Sequence, residues 1–218
     1  PVPMGSDINS KSHETHLTTT LDGKTLYFVS NRKGGIGEKD IYKCTKLPNG
    51  QWSLAQNLGT QINTPYDEDG PFIHPDGKTL FFSSKGHKSI GGFDIFISML
   101  KDDGTWTTPG NIGYPINTTD DDIFFVLSPD GKRAYYSTFR NNGFGNKDIY
   151  IIEQPGAMEH SLTLIKGTII VPEGMQMPEE ITIIITDNET GEFITEAKPL
   201  RRNGSFVFII PPGKNYNI

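Results

Sequence analysis

Hydrophobic and polar residues alternate along short stretches of this chain, and turn-forming residues separate the stretches. In one of them Leu26 and Phe28 alternate with Tyr27 and Val29, so both sets of alternate positions are apolar. A period of two is typical of a β-strand, whose successive side chains point to opposite faces of its sheet. Because both faces are apolar here, we expect each sheet to be covered on both sides by neighbouring sheets.

The pattern recurs with a period of 54 residues. Asp-Gly-Lys begins at Asp22, Asp76 and Asp130, and Asp-Ile-aromatic begins at Asp40, Asp94 and Asp148. The same spacing separates Trp52 from Trp106 and Asn57 from Asn111, and relates the Ile-Asn pairs Ile8-Asn9, Ile62-Asn63 and Ile116-Asn117. A period of this length is typical of solenoids and propellers, which differ in the number of strands per repeat.

Each repeat contains four predicted strands. In the second repeat they cover 70–74, 78–83, 94–98 and 106–109, with turns at Asp76-Gly77 and Asp103-Gly104. Asp-Gly supplies the positive φ that tight hairpins require, so the strands run up and down. Four antiparallel strands per repeat predict a β-propeller blade. We therefore predict an all-β fold in which residues 1–156 form a partial β-propeller of three four-stranded blades, with more blades expected upstream.

The repeat ends after Gly156, and the composition shifts toward Ile. Three further strands are predicted at 165–171, 181–186 and 205–210, and residues 215–218 have the pattern of the start of another. We predict a domain boundary between Gly156 and Ser161, followed by a small β-sandwich over 161–218 that is truncated in this sequence.

Composition narrows the function classes. A net charge of -6 and a pI near 5.4 leave no basic stripe, so we expect no nucleic-acid partner. The single Cys44 excludes an internal disulfide, and its repeat equivalents Ser98 and Ile152 indicate a packing position in a strand. The sequence contains no apolar run of about 18 residues and shows no targeting signal, so we expect no direct membrane span.

The unit from Asp76 to Asn117 resembles the TolB-like propeller repeat, in the form found in large OmpA-family periplasmic proteins of Bacteroidetes. The tail, with Lys166-Gly167-Thr168 and Asn203-Gly204-Ser205-Phe206, is similar to the carboxypeptidase-regulatory-like sandwich. This order of modules resembles the PorE-type component of the type IX secretion system. The resemblance implies a periplasmic, outer-membrane-associated protein that contacts other envelope or secretion-system proteins and reaches peptidoglycan only through an OmpA-like domain outside this sequence.

Repetition also sorts the polar residues. Asp40, Asp94 and Asp148 recur in every repeat, so we interpret them as acceptors for nearby backbone N–H groups rather than as catalytic groups. The same reasoning assigns a structural role to the acids that share one other repeat position, which are Glu14, Glu68 and Asp122.

The candidate catalytic and metal motifs are incomplete. His13-Glu14-Thr15-His16 has a spacing that suits one face of a helix, whereas this segment leads into a strand, so we expect no metal there. The acidic loops 66–70 and 120–122 lack the alternation of an EF-hand, and calcium binding by them stays open. The loop 34–37 lacks the Lys and helix of a phosphate site. With no nucleophile beside a base, we predict a protein that is not an enzyme and has no cofactor.

With no catalytic or metal site predicted, the remaining candidate for a functional feature is the surface formed by the loops. Up-and-down topology places the long loops at one end of all blades, and we predict a partner-binding face there. Its candidate residues are Tyr66, His87, Phe93, Arg140 and Phe144. The expected function is a non-catalytic protein-interaction scaffold in the periplasm; the alternatives are the non-catalytic propeller of a hydrolase and a glycan-binding propeller.

Overall fold

The fold was analysed in a computed structural model that describes residues 1–153, 163–172, 178, 180–201, 203–210 and 214–218. Every regular secondary-structure element in these ranges is a β-strand, and every strand pairing is antiparallel. No helix in this described part is long and apolar enough to cross a membrane. The predicted all-β fold is confirmed.

The first two repeats each form a four-stranded sheet in sequence order. The strands of sheet 1 are β1 (Glu14–Thr19), β2 (Thr25–Ser30), β3 (Asp40–Thr45) and β4 (Gln56–Asn57). Those of sheet 2 are β5 (Glu68–Ile73), β6 (Thr79–Ser84), β7 (Asp94–Met99) and β8 (Gly110–Asn111). In the second repeat the fourth strand was predicted at 106–109, but it begins only after Trp106, at Gly110. Trp52 and Trp106 each form an isolated β-bridge instead.

The third repeat forms sheet 3, which has three strands within the described residues. These are β9 (Ile123–Leu127), β10 (Arg133–Thr138) and β11 (Asp148–Glu153). The residues one repeat after β8 belong to a strand of the second module, which pairs elsewhere. Most of the positions predicted for a fourth strand of this repeat, one period after 106–109, lie outside the described residues.

The Asp-Gly turns have the predicted conformation. Gly77 has a φ of +69°, and Gly23 and Gly131 at the equivalent positions have similar values. The carboxylate of Asp76 accepts hydrogen bonds from the backbone N–H groups of Lys78 and Thr79, both at 2.8 Å. Burial opposes ionisation of Asp76, but hydrogen bonds from His74, Thr79 and Lys78 outweigh it and lower its pKa.

Neighbouring sheets pack face to face. Tyr27, Val29 and Ile41 on the trailing face of sheet 1, which is the face toward the next repeat, form one core with Leu80 and Phe82 of sheet 2. The innermost strands β1, β5 and β9 also contact one another in that order. This arrangement confirms that the two apolar faces seen in the sequence serve contacts between sheets.

The same packing recurs one repeat later. Phe81 and Ile95 on the trailing face of sheet 2 pack on Phe125, Ala134 and Tyr136 of sheet 3. The trailing face of sheet 3 differs from the other two, because its apolar side chains are exposed by 42% to 82%: Tyr135, Ile149 and Ile151.

The second module contains two small sheets. One pairs β12 (Thr163–Thr168) with β15 (Ser205–Ile210), and the other has β13 (Ile183–Asp187) between β14 (Phe193–Ala197) and β16 (Tyr216–Asn217). Ile185, Phe208 and Ile210 form their shared core. Strand β14 was not predicted, whereas β16 matches the strand expected at 215–218. The predicted boundary at 156–161 lies outside the described residues.

Candidate partner-binding face

The long connections lie at one end of the three sheets. This long-loop face consists of the loops 31–39, 58–67, 85–93, 112–122 and 139–147. Two loops contact each other there, since Phe93 N–H donates to Asp121 Oδ1 at 3.0 Å. Asn111, at the end of β8, also donates from Nδ2 to the carbonyl oxygen of Lys88 in the loop 85–93 at 3.2 Å.

In each of the three sheets, an aspartate at the start of the third strand accepts hydrogen bonds from the loop that precedes it. Asp40 accepts hydrogen bonds from Ile36 N–H at 2.6 Å and Gly37 N–H at 3.0 Å. Asp94 accepts the N–H of Ile90, and Asp148 accepts the N–H of Phe144. The predicted role of these aspartates as acceptors for loop N–H groups is confirmed.

Buried asparagines connect the loops to the sheets. Asn117, which is fully buried, accepts a hydrogen bond from Ile95 N–H at 2.8 Å and donates to the Ile95 carbonyl oxygen and to Asn111. Asn111 donates in turn to Asp94 at 2.7 Å. Asn63, Asn57 and Asp40 repeat these contacts in sheet 1. Asp94 Oδ1 is buried without a partner, but the asparagine amides and Asp94 Oδ2 are all paired, and these bonds give the face a rigid base.

A second carboxylate per repeat anchors the innermost strand. The Oε atoms of Glu68 accept hydrogen bonds from the N–H of Thr64 at 2.8 Å, its hydroxyl at 2.6 Å, and the hydroxyl of Ser84 at 2.7 Å. Ser10 makes the equivalent contacts with Glu14, and Thr118 makes them with Asp122. These acids therefore have the structural role that repetition predicted.

The environment of this acid differs between sheets 1 and 2. Arg32 Nη2 lies 3.2 Å from Glu14 Oε1, whereas Gly86 occupies the equivalent repeat position beside Glu68. Burial is the largest influence on Glu14, but hydrogen bonds from Ser10 and Ser30 and the charge of Arg32 together lower its pKa. At Glu68 burial outweighs the hydrogen bonds and raises the pKa to about 7.

Arg140, one of the five predicted binding residues, is engaged inside the fold. Its Nη2 donates to the carbonyl oxygens of Pro115 at 2.6 Å and Ile116 at 3.2 Å, and to the Tyr136 hydroxyl at 2.8 Å. Arg32, two repeats earlier, donates to the carbonyl oxygen of Ile8 at 2.6 Å. Arg140 is thus a recurring structural residue, not one specific to its repeat.

His87 performs the same task in sheet 2. Its Nε2 lies 2.9 Å from the carbonyl oxygen of Ile62, so Nε2 carries the proton and donates. The ring centroid lies 5.9 Å from that of Phe82 and 5.2 Å from that of Phe96. Arg32 lies over Phe28 and Tyr42, their counterparts in sheet 1.

The other three predicted residues have more freedom to meet a partner. Phe144 is fully exposed, and Tyr66 is exposed by 60%. Phe93 is half-buried, with Lys85 Nζ 4.7 Å from its ring centroid. Ion pairs flank them: Lys85 with Asp67 and Lys147 with Asp121, each at 2.9 Å.

Two exposed apolar side chains of this face were not predicted. Tyr114 is exposed by 82% and Ile90 by 50%. Ile36, Ile90 and Phe144 share one repeat position, so the alignment of the repeats already contained the signal for Ile90. Tyr114 has Thr60 one repeat earlier and could have been identified as a residue specific to its repeat.

The innermost strands β1, β5 and β9 share an irregularity at one repeat position. His16 has a φ of 40°, Gly70 of 52° and Phe124 of 61°, so two residues with side chains adopt a left-handed conformation. The rings of His16 and Phe124 lie 4.6 Å apart, and His16 Nδ1 lies 2.6 Å from Asp69 Oδ1. Among the described residues, no three His, Cys, Asp or Glu side chains form a group suited to a metal ion.

Comparison with known proteins gives distant likenesses in fold. No protein-family model and no curated protein matches the chain. Among solved structures it is similar to TolB from Acinetobacter baumannii, with 19% identity and a TM-score of 0.43, over 63% of this chain and 29% of that one. It is also similar to a protein described as TolB from Agrobacterium tumefaciens, with 20% identity and a TM-score of 0.46, over 68% of this chain and 47% of that one. The chain therefore corresponds to less than half the length of either.

Proposed function

We propose that this chain is a non-catalytic interaction module whose long-loop face binds a partner protein. The observation that carries the proposal is the exposure of four large apolar side chains on that face: Tyr66, Ile90, Tyr114 and Phe144. Aromatic side chains held on a rigid base are the usual anchors of protein interfaces.

The underlying network supports a binding role for these residues. Phe144 and Ile90 each donate their N–H to the aspartate at the start of a strand, so their backbone positions are fixed before any partner arrives. A preorganised loop loses less conformational entropy on binding than a mobile one.

The cellular setting belongs to the same proposal. The sequence resemblance to propeller-plus-sandwich proteins of the OmpA family supports a periplasmic scaffold, in contact with envelope or type IX secretion proteins. Association with the outer membrane and peptidoglycan would come through an OmpA-like domain outside this sequence.

The test is site-specific photocrosslinking in the native envelope. A photoreactive amino acid at position 144 should give one defined crosslinked product. The same probe at position 54 should not, because Leu54 is also exposed, by 75%, but lies in the connection between β3 and β4 at the opposite end of the sheets.

The identified partner is then purified and its affinity measured. We expect the triple substitution of Tyr66, Tyr114 and Phe144 by Ser to weaken binding at least about tenfold, since each buried aromatic anchor contributes more than 1 kcal/mol. The matched control replaces Leu47 and Leu54 by Ser and should leave the affinity unchanged. Equal affinities of the two variants would reject the long-loop face.

A further inference from the structure

A groove of about 570 Å³ opens on the outer rim, where β4 of sheet 1 meets the β7–β8 connection of sheet 2. Residues 58–61 of the long-loop face reach the groove, but Tyr66, Ile90, Tyr114 and Phe144 do not line it, and the inference goes beyond the function proposed above. Its lining includes Lys43, Gln56, Gln61, Lys101, Trp106 and Thr108.

Lys43 and Lys101, the two lysines of this rim groove, differ from the lysines of this chain that form ion pairs. Lys78 and Lys85, for example, each lie within 2.9 Å of a carboxylate. Lys43 and Lys101 form no salt bridge within the described part of the chain, and no Asp or Glu is among the groove's lining residues. In a protein of net charge -6, two cations in an acid-free groove stand out.

Two aspartates follow Lys101 in the turn, and both are already engaged. Asp102 Oδ1 accepts a hydrogen bond from Lys78 Nζ at 2.8 Å. Asp103 accepts the N–H of Thr105 at 2.9 Å and its hydroxyl at 2.6 Å, although it also feels the charge of Lys101. Neither aspartate lines the groove.

The repeats show that the fold does not require these lysines. Ile97 and Ile151 occupy the position of Lys43 in the other repeats, and Leu47 occupies the position of Lys101 in the first. Each lysine thus occurs in one repeat, and the two meet at a single junction. Because apolar residues occupy the equivalent positions, and because neither lysine forms an ion pair in the described part of the chain, a packing role does not account for the two positive charges.

Trp106 provides a second, independent observation. Its side chain is 93% buried, since only 7% is exposed, and it packs edge-on against Tyr27 with a centroid distance of 6.1 Å. Its indole N–H has no acceptor among the described residues and is not one of their buried unpaired polar atoms, so it is open to the groove that the residue lines. A donor that faces the groove and has no protein acceptor is available to a ligand that accepts hydrogen bonds.

We propose that the rim groove binds an acidic saccharide. Lys43 and Lys101 face its carboxylate, Trp106 donates to an oxygen acceptor, and the amides and hydroxyls meet sugar hydroxyls. Gln61 Nε2 already donates to Thr108 Oγ1 at 3.1 Å across the junction, which leaves the Gln61 carbonyl oxygen free to accept. The volume lies within the range of small-molecule sites.

A saccharide suits this groove better than an acidic peptide does. An extended peptide would gain affinity by pairing with a sheet edge, but the edge strand β4 spans only Gln56–Asn57. Its side chains would also need apolar pockets, whereas the groove is lined mainly by amides, hydroxyls and lysines.

The experiment is isothermal titration of the chain with a short oligogalacturonate. Parallel arms use the neutral oligogalactose, an oligoglutamate of equal charge, and inorganic phosphate. We expect oligogalacturonate to bind most tightly, with an affinity that falls as salt is added. Lys43→Ala and Lys101→Ala should each weaken binding about tenfold, the effect of one lost charge-assisted hydrogen bond.

Two further variants separate binding from folding. Trp106→Phe keeps the ring packing but removes the N–H, and it should weaken binding several-fold without a change in the unfolding midpoint. Lys132→Ala, an exposed lysine in a turn of the third repeat, should leave binding unchanged. Equal affinity for neutral oligogalactose, tighter binding of oligoglutamate or phosphate, or no heat of binding at millimolar saccharide would each overturn the proposal.

Discussion

His87 holds the carbonyl oxygen of Ile62 through a 2.9 Å contact from Nε2, one repeat after Arg32 holds that of Ile8. The two donors are not at equivalent positions, since Gly86 is the equivalent of Arg32. His87 reaches the carbonyl from the next residue with a left-handed backbone, at a φ of 54°. The isoleucine carbonyl is thus held in all three sheets, by Arg32, His87 and Arg140.

We predict that His87→Ala lowers the free energy of unfolding by about 2 kcal/mol, because it removes one hydrogen bond and the packing on Phe82 and Phe96. Urea unfolding followed by circular dichroism measures the change. Lys88→Ala is the matched control: Lys88 is exposed and should change the stability by less than about 0.5 kcal/mol. Equal effects of the two substitutions would contradict a structural role for the imidazole.

Glu68 should make the protein less stable as the pH rises. Burial raises its pKa in the folded protein to about 7, whereas the unfolded chain has a value of about 4.3. The folded state therefore favours the protonated form. This contribution is fully present below about pH 4.3 and is lost as the pH rises to about 7, with a magnitude of roughly 4 kcal/mol.

The measurement compares Glu68→Gln with the wild type by urea unfolding from about pH 3 to about pH 8, a range that covers the shifts of both Glu68 and Glu14. The substitution itself changes the free energy of unfolding by an amount that does not depend on pH, so only the titration of Glu68 changes the difference between the two proteins. The variant should therefore gain stability relative to the wild type as the pH rises. Glu14→Gln should show the opposite trend, because Arg32 and the serine hydrogen bonds lower the pKa of Glu14. Its contribution is present above about pH 4.3 and lost as the pH falls. Parallel curves for both variants would refute the assignment.

The repeat made most of the fold predictable from sequence. Constant spacing aligns equivalent positions, so the strands, the turns at Asp-Gly and the role of Asp40, Asp94 and Asp148 all followed from one pattern. The fourth strand of the third repeat did not, because residues one period after β8 pair within the second module instead. Local alternation cannot specify which partner a strand will choose.

The candidate site was harder to predict for a related reason. Arg140 differs from Gly86 one repeat earlier, which made it look specific, although Arg32 is its structural equivalent two repeats away. His87 is specific to its repeat, yet it serves the fold because a side chain from a neighbouring position can reach the same carbonyl. Difference between repeats therefore indicates function only after contacts are known.

Sheet 3 offers a direct test of how the sheets cover one another. Ile95 and Ile149 are equivalent residues on trailing faces, but Ile95 is fully buried and Ile149 is exposed by 82%. We predict that Ile95→Asn costs about 4 kcal/mol or prevents folding, since it places an amide in an apolar core. Ile149→Asn should change the stability by less than about 0.5 kcal/mol. A large loss for Ile149→Asn would show that another surface covers this face in solution.

Gly70 allows the neighbouring innermost strands β5 and β9 to approach each other. A Cβ at this position would lie 2.8 Å from Phe124 Cδ1, and the backbone has a φ of +52°. We predict that Gly70→Ala costs about 2 kcal/mol, from both the contact and the backbone strain. In a Phe124→Ala background only the strain remains, so the cost should fall by about 1 kcal/mol. A double-mutant cycle in urea measures this coupling, and a coupling of zero would mean that the ring of Phe124 does not restrict position 70.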